Sequence, residues 1–242
     1  MKLLIVSDLH ANWPALQAVI AAEPESDGVI CLGDIVNYGP HPVPCIEWVR
    51  MHARPGWGLQ GNHDRALAYS EDPRCSEPFQ PLAAAMQRYT ESQLGQPALD
   101  FLASLPTRQT HTVGGARFFL CHAVPSEPLY TYVQAGEVKR WASEIMAAGR
   151  PDFLLLGHTH RGFTLRVGAT LIVNPGSVGQ PKDGDPRAAY AVWHDGEITL
   201  RRASYDIQAV ARDLAACTQS KFSIPLAGVL LTGGQFHPAG FA

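Results

Sequence analysis

Five short polar segments of the 242-residue chain each place metal-ligand side chains directly after an apolar run: Asp8-Leu9-His10, Gly33-Asp34, Gly61-Asn62-His63-Asp64, Cys121-His122 and Gly157-His158-Thr159-His160. Aspartate, asparagine and histidine form a mixed oxygen and nitrogen donor set. Such a set suits manganese, iron, zinc or nickel better than calcium. The donors are too many for one ion. They suit two ions sharing a bridging carboxylate, which in two-metal hydrolytic sites stand roughly 3.5–4 Å apart. Asp8 and His10 are two residues apart, as are His158 and His160, so in extended backbone each pair points the same way. Taken singly, each segment has an ordinary structural reading. D-x-H and H-x-H can be surface residues, Gly33-Asp34 and Gly61-Asn62 can be turns, and His122 can be a hydrogen-bonded, half-buried histidine. Their joint placement, in this order, points to one site.

The elements that must position these residues follow from periodicity. Residues 3–6, 28–32 and 56–59 read as buried strands. Helices are predicted over 13–22, with Asn12 as cap and Pro14 in the first turn, and over 42–51. This alternation implies right-handed crossovers and a mainly parallel sheet. Ligands of open α/β sheets bind at the carboxyl ends of strands, where the polar segments sit. Residues 81–94, 97–105, 136–148 and 206–216 carry helical spacing. Residues 111–113 and 116–120 flank Gly114-Gly115, and 188–194 and 197–202 flank Asp195-Gly196; both are hairpin signals. Residues 153–156, 162–167 and 170–173 complete the strands. Parallel strands early and antiparallel strands late predict an α/β chain of mixed α+β character, with two packed mixed β-sheets flanked by helices. One domain over 1–242 is expected. The tail 221–242, with an apolar patch at 226–231, has no assigned role and is a candidate surface for homo-oligomer formation.

Net charge is −3 with the ten histidines neutral. That disfavours a general nucleic-acid binder, whose affinity comes from a basic surface. It is compatible with a phosphate-bearing substrate, because bound dications supply local positive charge. The five cysteines are scattered with no C-x-x-C pair, which argues against a disulfide framework and for a reducing compartment. No apolar run is long enough for a signal-peptide core or a bilayer span, so a cytoplasmic chain with no membrane partner is expected.

The five segments, in order, resemble the signature of the calcineurin-like metallophosphoesterases: D-x-H, G-D, G-N-H-[DE], H and G-H-x-H. Two further stretches, Gly33-Asp34-Ile35-Val36-Asn37-Tyr38-Gly39-Pro40 and Asn174-Pro175-Gly176-Ser177-Val178-Gly179-Gln180-Pro181, resemble the small prokaryotic phosphodiesterase branch. The resemblance implies a four-layer αββα sandwich and metal-dependent hydrolysis of phosphoester bonds in small phosphoesters or nucleotides. It implies two divalent ions per chain, manganese first, with iron, zinc or nickel as alternatives. Asp8, His10 and His160 would hold the first, Asn62, His122 and His158 the second, and Asp34 would bridge them. Protein phosphatases of the superfamily typically read G-D-x-x-D-R-G at the second block. Here that block carries no arginine, so a bidentate phosphate contact is missing and a protein-phosphatase assignment loses support.

On this reading a water bridging the two ions is hydroxide near neutral pH and attacks phosphorus in line. His63 would protonate the leaving alkoxide, a task suited to an imidazole of near-neutral pKa. Asp64 would orient His63, or else be a turn aspartate. Asn37, Tyr38, Arg65 and Ser177 are candidates to line the substrate pocket. Cys121 reads as a small core residue. His41, His52, His111, His194 and His237 match no ligand block and read as structural or surface residues. Competing readings are a dinucleoside polyphosphate hydrolase or nucleotide phosphatase using the same centre, a DNA nuclease, and a non-catalytic scaffold. The retromer subunit of this fold, which has lost ligands, illustrates the last; all seven ligand positions and His63 are kept here.

Overall fold

The computed structural model describes residues 1–235. Strands β1 (Lys2–Val6), β2 (Gly28–Cys31) and β3 (Ala53–Gly58) are parallel and joined by helices α1 (Trp13–Ala22) and α2 (Pro42–His52). Helix α3 (Asn62–Tyr69), a 3-10 turn (Glu77–Phe79), α4 (Gln80–Gln93) and α5 (Gln96–Ser104) follow. The β4 (Arg108–Val113) and β5 (Ala116–Cys121) hairpin opens the second sheet. Then come α6 (Val138–Ala147), β6 (Phe153–Leu155), β7 (Phe163–Val167), β8 (Thr170–Asn174), β9 (Ala188–His194), β10 (Glu197–Ala203), α7 (Ile207–Cys217) and α8 (Ser220–Thr232).

The two mixed five-stranded sheets run β10-β9-β1-β2-β3 and β4-β5-β6-β8-β7. Strand alternation explains why they stack. Leu3 and Ile5 meet Phe118, Leu120 and Phe153 of the other sheet, while Leu4 and Val6 meet Leu16, Val19 and Val49 of the outer helices. Trp141 and Ile145 of α6 cover the far face of the second sheet. The layers are therefore helix, sheet, sheet, helix. Among the described residues no helix is long and apolar enough to cross a membrane.

The expectation of early parallel and late antiparallel strands needs one refinement. The last hairpin returns to the first sheet, with β9 antiparallel to β1, because its Ala191 and Trp193 complete the core between the sheets. A second difference bears on the site. Gly61 to Asp64 was expected as loop, yet Asn62 opens α3. The Gly61 N–H donates to Asp64 Oδ2 (2.9 Å), half of a capping box, and this starts the helix at the ligand. Much of the apolar patch of the tail is used within the chain: Leu226 and Leu230 of α8 pack with Leu82, Met86, Val210 and Leu214, while Leu231 stays exposed.

Candidate metal centre

All five polar segments meet at one end of the two sheets. Asp8, His10, Asp34 and His160 offer ligand atoms within 4.8 Å of one another, and so do Asp34, His122 and His158. Asp34 belongs to both groups. Its Oδ2 lies 3.3 Å from His122 Nε2 and 3.7 Å from His10 Nε2. Asn62 joins the second group, its Oδ1 3.1 Å from both His122 Nε2 and His158 Nδ1. None of these seven side chains is more than 3% exposed.

The loops that bring them together are not extended, contrary to the expectation for D-x-H and H-x-H. Asp8, His10, Asp34, His158 and His160 all have positive φ, between 52° and 65° except His10 at 42°. Left-handed backbone costs a non-glycine residue about 1–2 kcal/mol. Five such residues at one site mark a place where surrounding structure overrides local preference. Close approach also dictates the motif glycines: a Cβ on Gly61 would fall 2.2 Å from Asp34 Oδ1, and one on Gly157 would fall 1.9 Å from Ser7 Oγ.

Hydrogen bonds on the far side of each ligand fix what faces inward. His10 Nδ1 donates to the Val36 carbonyl (3.1 Å) and His160 Nδ1 to the Gln180 carbonyl (2.7 Å). A carbonyl only accepts, so these nitrogens carry the protons. The two Nε2 atoms, left as lone pairs, face each other at 3.0 Å. Asn62 Nδ2 donates to the Pro73 carbonyl (2.7 Å), which turns its oxygen to His122 and His158. His122 Nδ1 is likewise taken by the Leu32 carbonyl (2.8 Å). At His10 and His160 acceptor thus converges on acceptor, and a cation is what satisfies them. The donor set fits a pair of divalent transition ions.

Electrostatics agree. Burial pushes Asp8 up to about 7 and Asp64 up to about 7. Burial also lowers His10 to about 3 and holds His158 and His160 well below the usual imidazole range. Burial opposes charge on Asp34 and His122 too, but each favours the other's ionisation. Asp34 is held well below the carboxylate range and His122 is raised to about 9.

The other anticipated residues divide. Asn37 is buried with its Nδ2 2.9 Å from His63 Nδ1, while its Oδ1 accepts from the Tyr38 N–H (2.7 Å). Tyr38 packs against His10 and His63 at 5.0 and 4.8 Å. It forms the wall beneath them rather than an open pocket lining, being 3% exposed. Asp64 does not orient His63: its carboxylate accepts from the Gly61, Ile35 and Val36 N–H groups, tying the second segment to the third. Ser177 is fully buried, donates to the Asp8 carbonyl (2.7 Å) and accepts from the Gln180 N–H (2.7 Å), so it braces the first loop and has no face for substrate. The Arg65 guanidinium is committed to Glu71 at 2.9 and 3.1 Å. His63 also differs from expectation, because burial lowers it to about 4 rather than leaving it near neutrality.

All five cysteines are free thiols, and Cys121 is fully buried. His41, His52 and His111 bond Asp213, Trp48 and Gly56, and His194 lies by Asp195 at the surface; His237 lies outside the described residues. Two site residues were not among the candidates: Tyr132 carried no sequence signal, and Asn174 carried only its place in the 174–181 stretch. Tyr132, from the loop after His122, stacks on His158 at 3.9 Å and is 43% exposed, at the mouth of the second group. Asn174 donates to the Gly157 carbonyl (2.6 Å) and Thr159 Oγ1 (3.1 Å), holding the last ligand loop.

Two stacked sheets present a buried cradle of acidic and imidazole donors of the kind that holds metal ions. The chain belongs to the calcineurin-like phosphoesterase superfamily, whose domain profile matches residues 1–196. It is similar over its whole length to the crystal structure of a metallophosphoesterase from Sphaerobacter thermophilus, at 32% identity and a TM-score of 0.78, covering 96% of this chain and 99% of that one. Among curated proteins it is 29% identical to an uncharacterized protein of Methanocaldococcus jannaschii, covering 84% of this chain and 88% of that one. It is 27% identical to phosphodiesterase YfcE of Escherichia coli, covering 83% and 91%. The protein is a hydrolase acting on phosphoester bonds.

Proposed function

We propose that the protein is a phosphodiesterase of small organic phosphodiesters or nucleotides, working through a dinuclear centre. Asp8, His10 and His160 would hold one ion and Asn62, His122 and His158 the other, with Asp34 common to the two groups. The observation that carries this reading is the facing pair of lone-pair nitrogens, His10 Nε2 and His160 Nε2, 3.0 Å apart in a site whose second ligand group shares Asp34. Manganese suits the mixed donor set. Bound there, divalent ions supply Lewis acidity, polarising the phosphoryl oxygens and lowering the pKa of an attacking water.

The protein's own groups do the rest. His63 is the hydrogen-bond donor at the leaving group. The Tyr38 N–H fixes Asn37 Oδ1, so the amide atom turned to His63 is Nδ2, a donor, and it takes the lone pair of Nδ1. The His63 proton is thereby placed on Nε2. Burial keeps the ring neutral at physiological pH, its pKa being lowered to about 4. A neutral imidazole in this state hydrogen-bonds the leaving oxygen as charge builds on it. The test is hydrolysis of bis-p-nitrophenyl phosphate by metal-stripped protein, before and after adding manganese. Activity that returns only with metal is expected. Inactivity with every divalent ion tried would overturn the reading.

A further inference from the structure

The segment that braces the first ligand group runs on past Gln180 into a cation that no ligand motif uses. The Lys182 N–H donates to the His160 carbonyl (3.1 Å), which ties this half-buried residue to a ligand of the first group. Its ammonium lies 4.3 Å from the centroid of Phe79. Phe79 meets Tyr38 edge-on at 6.3 Å, and Tyr38 in turn lies 4.8 Å from His63. Lysine, phenylalanine, tyrosine and histidine therefore form one continuous wall. The positive charge of Lys182 reaches Asp8, His10, His63 and His160. Among the described residues no carboxylate forms an ion pair with it; Phe79 is its side-chain partner.

The backbone holds this lysine in place. The Gly184 N–H donates to the Gly233 carbonyl (2.8 Å), clamping the loop to the end of α8. A Cβ on Gly234 would fall 2.5 Å from Lys182 Cα, so the tail packs on the lysine as closely as only glycine allows. Burial lowers the Lys182 ammonium to about 8 although Asp8 and Asp34 favour its charge, a desolvation cost that an incoming anion would further offset.

We propose that Lys182 is a substrate-binding cation for phosphate esters whose leaving group itself carries an anionic phosphate, as in nucleoside and dinucleoside polyphosphates. The inference rests on the phosphodiesterase reading above, because the ligand cluster engages the phosphoryl group that is attacked and His63 marks the leaving-group side. A further phosphate of the leaving group, lying along that wall, meets the ammonium. The cation missing from the second sequence block is in this way supplied from elsewhere in the chain, as a point charge rather than a fork.

The experiment compares bis-p-nitrophenyl phosphate with diadenosine tetraphosphate on manganese-loaded wild-type, Lys182→Met and Lys182→Arg protein, with metal content and calorimetric affinity for the tetraphosphate measured alongside. Lys182→Met is expected to bind manganese and to lose far less on bis-p-nitrophenyl phosphate than on the tetraphosphate. It should raise KM for, and weaken binding of, the tetraphosphate by roughly 10- to 100-fold. Lys182→Arg should restore most of that loss. Equal effects on both compounds, or tetraphosphate affinity unchanged in Lys182→Met, overturn the assignment while leaving the phosphodiesterase reading intact. Should the wild type fail on bis-p-nitrophenyl phosphate, that reading falls, and the calorimetric comparison still decides for or against Lys182.

Discussion

Asp8 and Glu23 are both buried carboxylates, 0% and 4% exposed, yet their surroundings differ in kind. Glu23 follows α1 and is met by donors from its own chain: Lys2 Nζ at 2.8 Å, Arg201 at 2.5 Å and the Tyr190 hydroxyl at 3.0 Å. Burial works against its charge, but those three partners hold its pKa below the usual carboxylate range. Asp8 receives the His158 N–H at 3.2 Å and faces the His160 imidazole at 3.4 Å, and burial pushes it up to about 7. One cluster is complete within the protein and contributes stability. The other is completed by something the protein must bind. A buried polar cluster whose donors and acceptors do not balance is thus a guide to function.

The largest expected effect comes from removing the shared member of the unbalanced cluster. Asp34→Asn should cut phosphodiesterase activity by roughly a thousandfold or more, about 4 kcal/mol of barrier. It should also abolish the rise in Tm that manganese gives the wild type, worth about 2.7 kcal/mol at a hundredfold excess over Kd. Two ions per chain, measured by elemental analysis of the variant, would remove Asp34 from the bridging position. Next in size, His63→Ala should keep its metal and lose about 100-fold on esters with poor leaving groups, with a much smaller loss on p-nitrophenyl esters. Equal losses on both would end its role as donor to the leaving group.

Asn37→Ala should act through His63, costing about tenfold on poor leaving groups and leaving metal content unchanged. It would separate the positioning role of the amide from any contact with substrate if KM stayed constant while kcat fell. The smallest effect lies in the balanced cluster. Glu23→Gln should leave activity alone and cost about 1–3 kcal/mol of stability at pH 7. A carboxylate depressed in the folded state contributes fully above its unfolded value of about 4.3, and the contribution is lost as pH falls through the lower folded value. The gap in unfolding free energy between wild type and variant should therefore narrow as pH drops below about 4. A gap that widened in acid would contradict the assignment.

Much of this was legible from residue types and spacing. Strands were expected where β1, β2, β5, β6 and β9 occur, because continuous or alternating apolar runs are set by local burial. The ligand residues could be named because each polar segment interrupts such a run at a strand end. Less visible was the conformation of those segments. Positive φ at Asp8, His10 and His158 opposes local preference and is imposed by contacts across the sheet ends. The roles of Ser177 and Asp64 stayed open for a related reason. Their partners, the Asp8 carbonyl and the Ile35 N–H, lie 169 and 29 residues away, and no local pattern reveals which way a short side chain turns.

The sequence by itself determined the donor chemistry, two aspartates, an asparagine and four histidines, and the order in which strands deliver it, since both follow from identity and periodicity along the chain. Only the tertiary structure decided which atom of each donor faces inward. That choice rests on backbone carbonyls supplied by distant segments: Val36 for His10, Gln180 for His160, Leu32 for His122 and Pro73 for Asn62. It also decided that Lys182 stands over Phe79 on the wall of His63, because a loop fastened to α8 carries it there. Hydrogen bonding and charge act through space, so their partners emerge when the sheets stack and the loops at their ends are forced into contact.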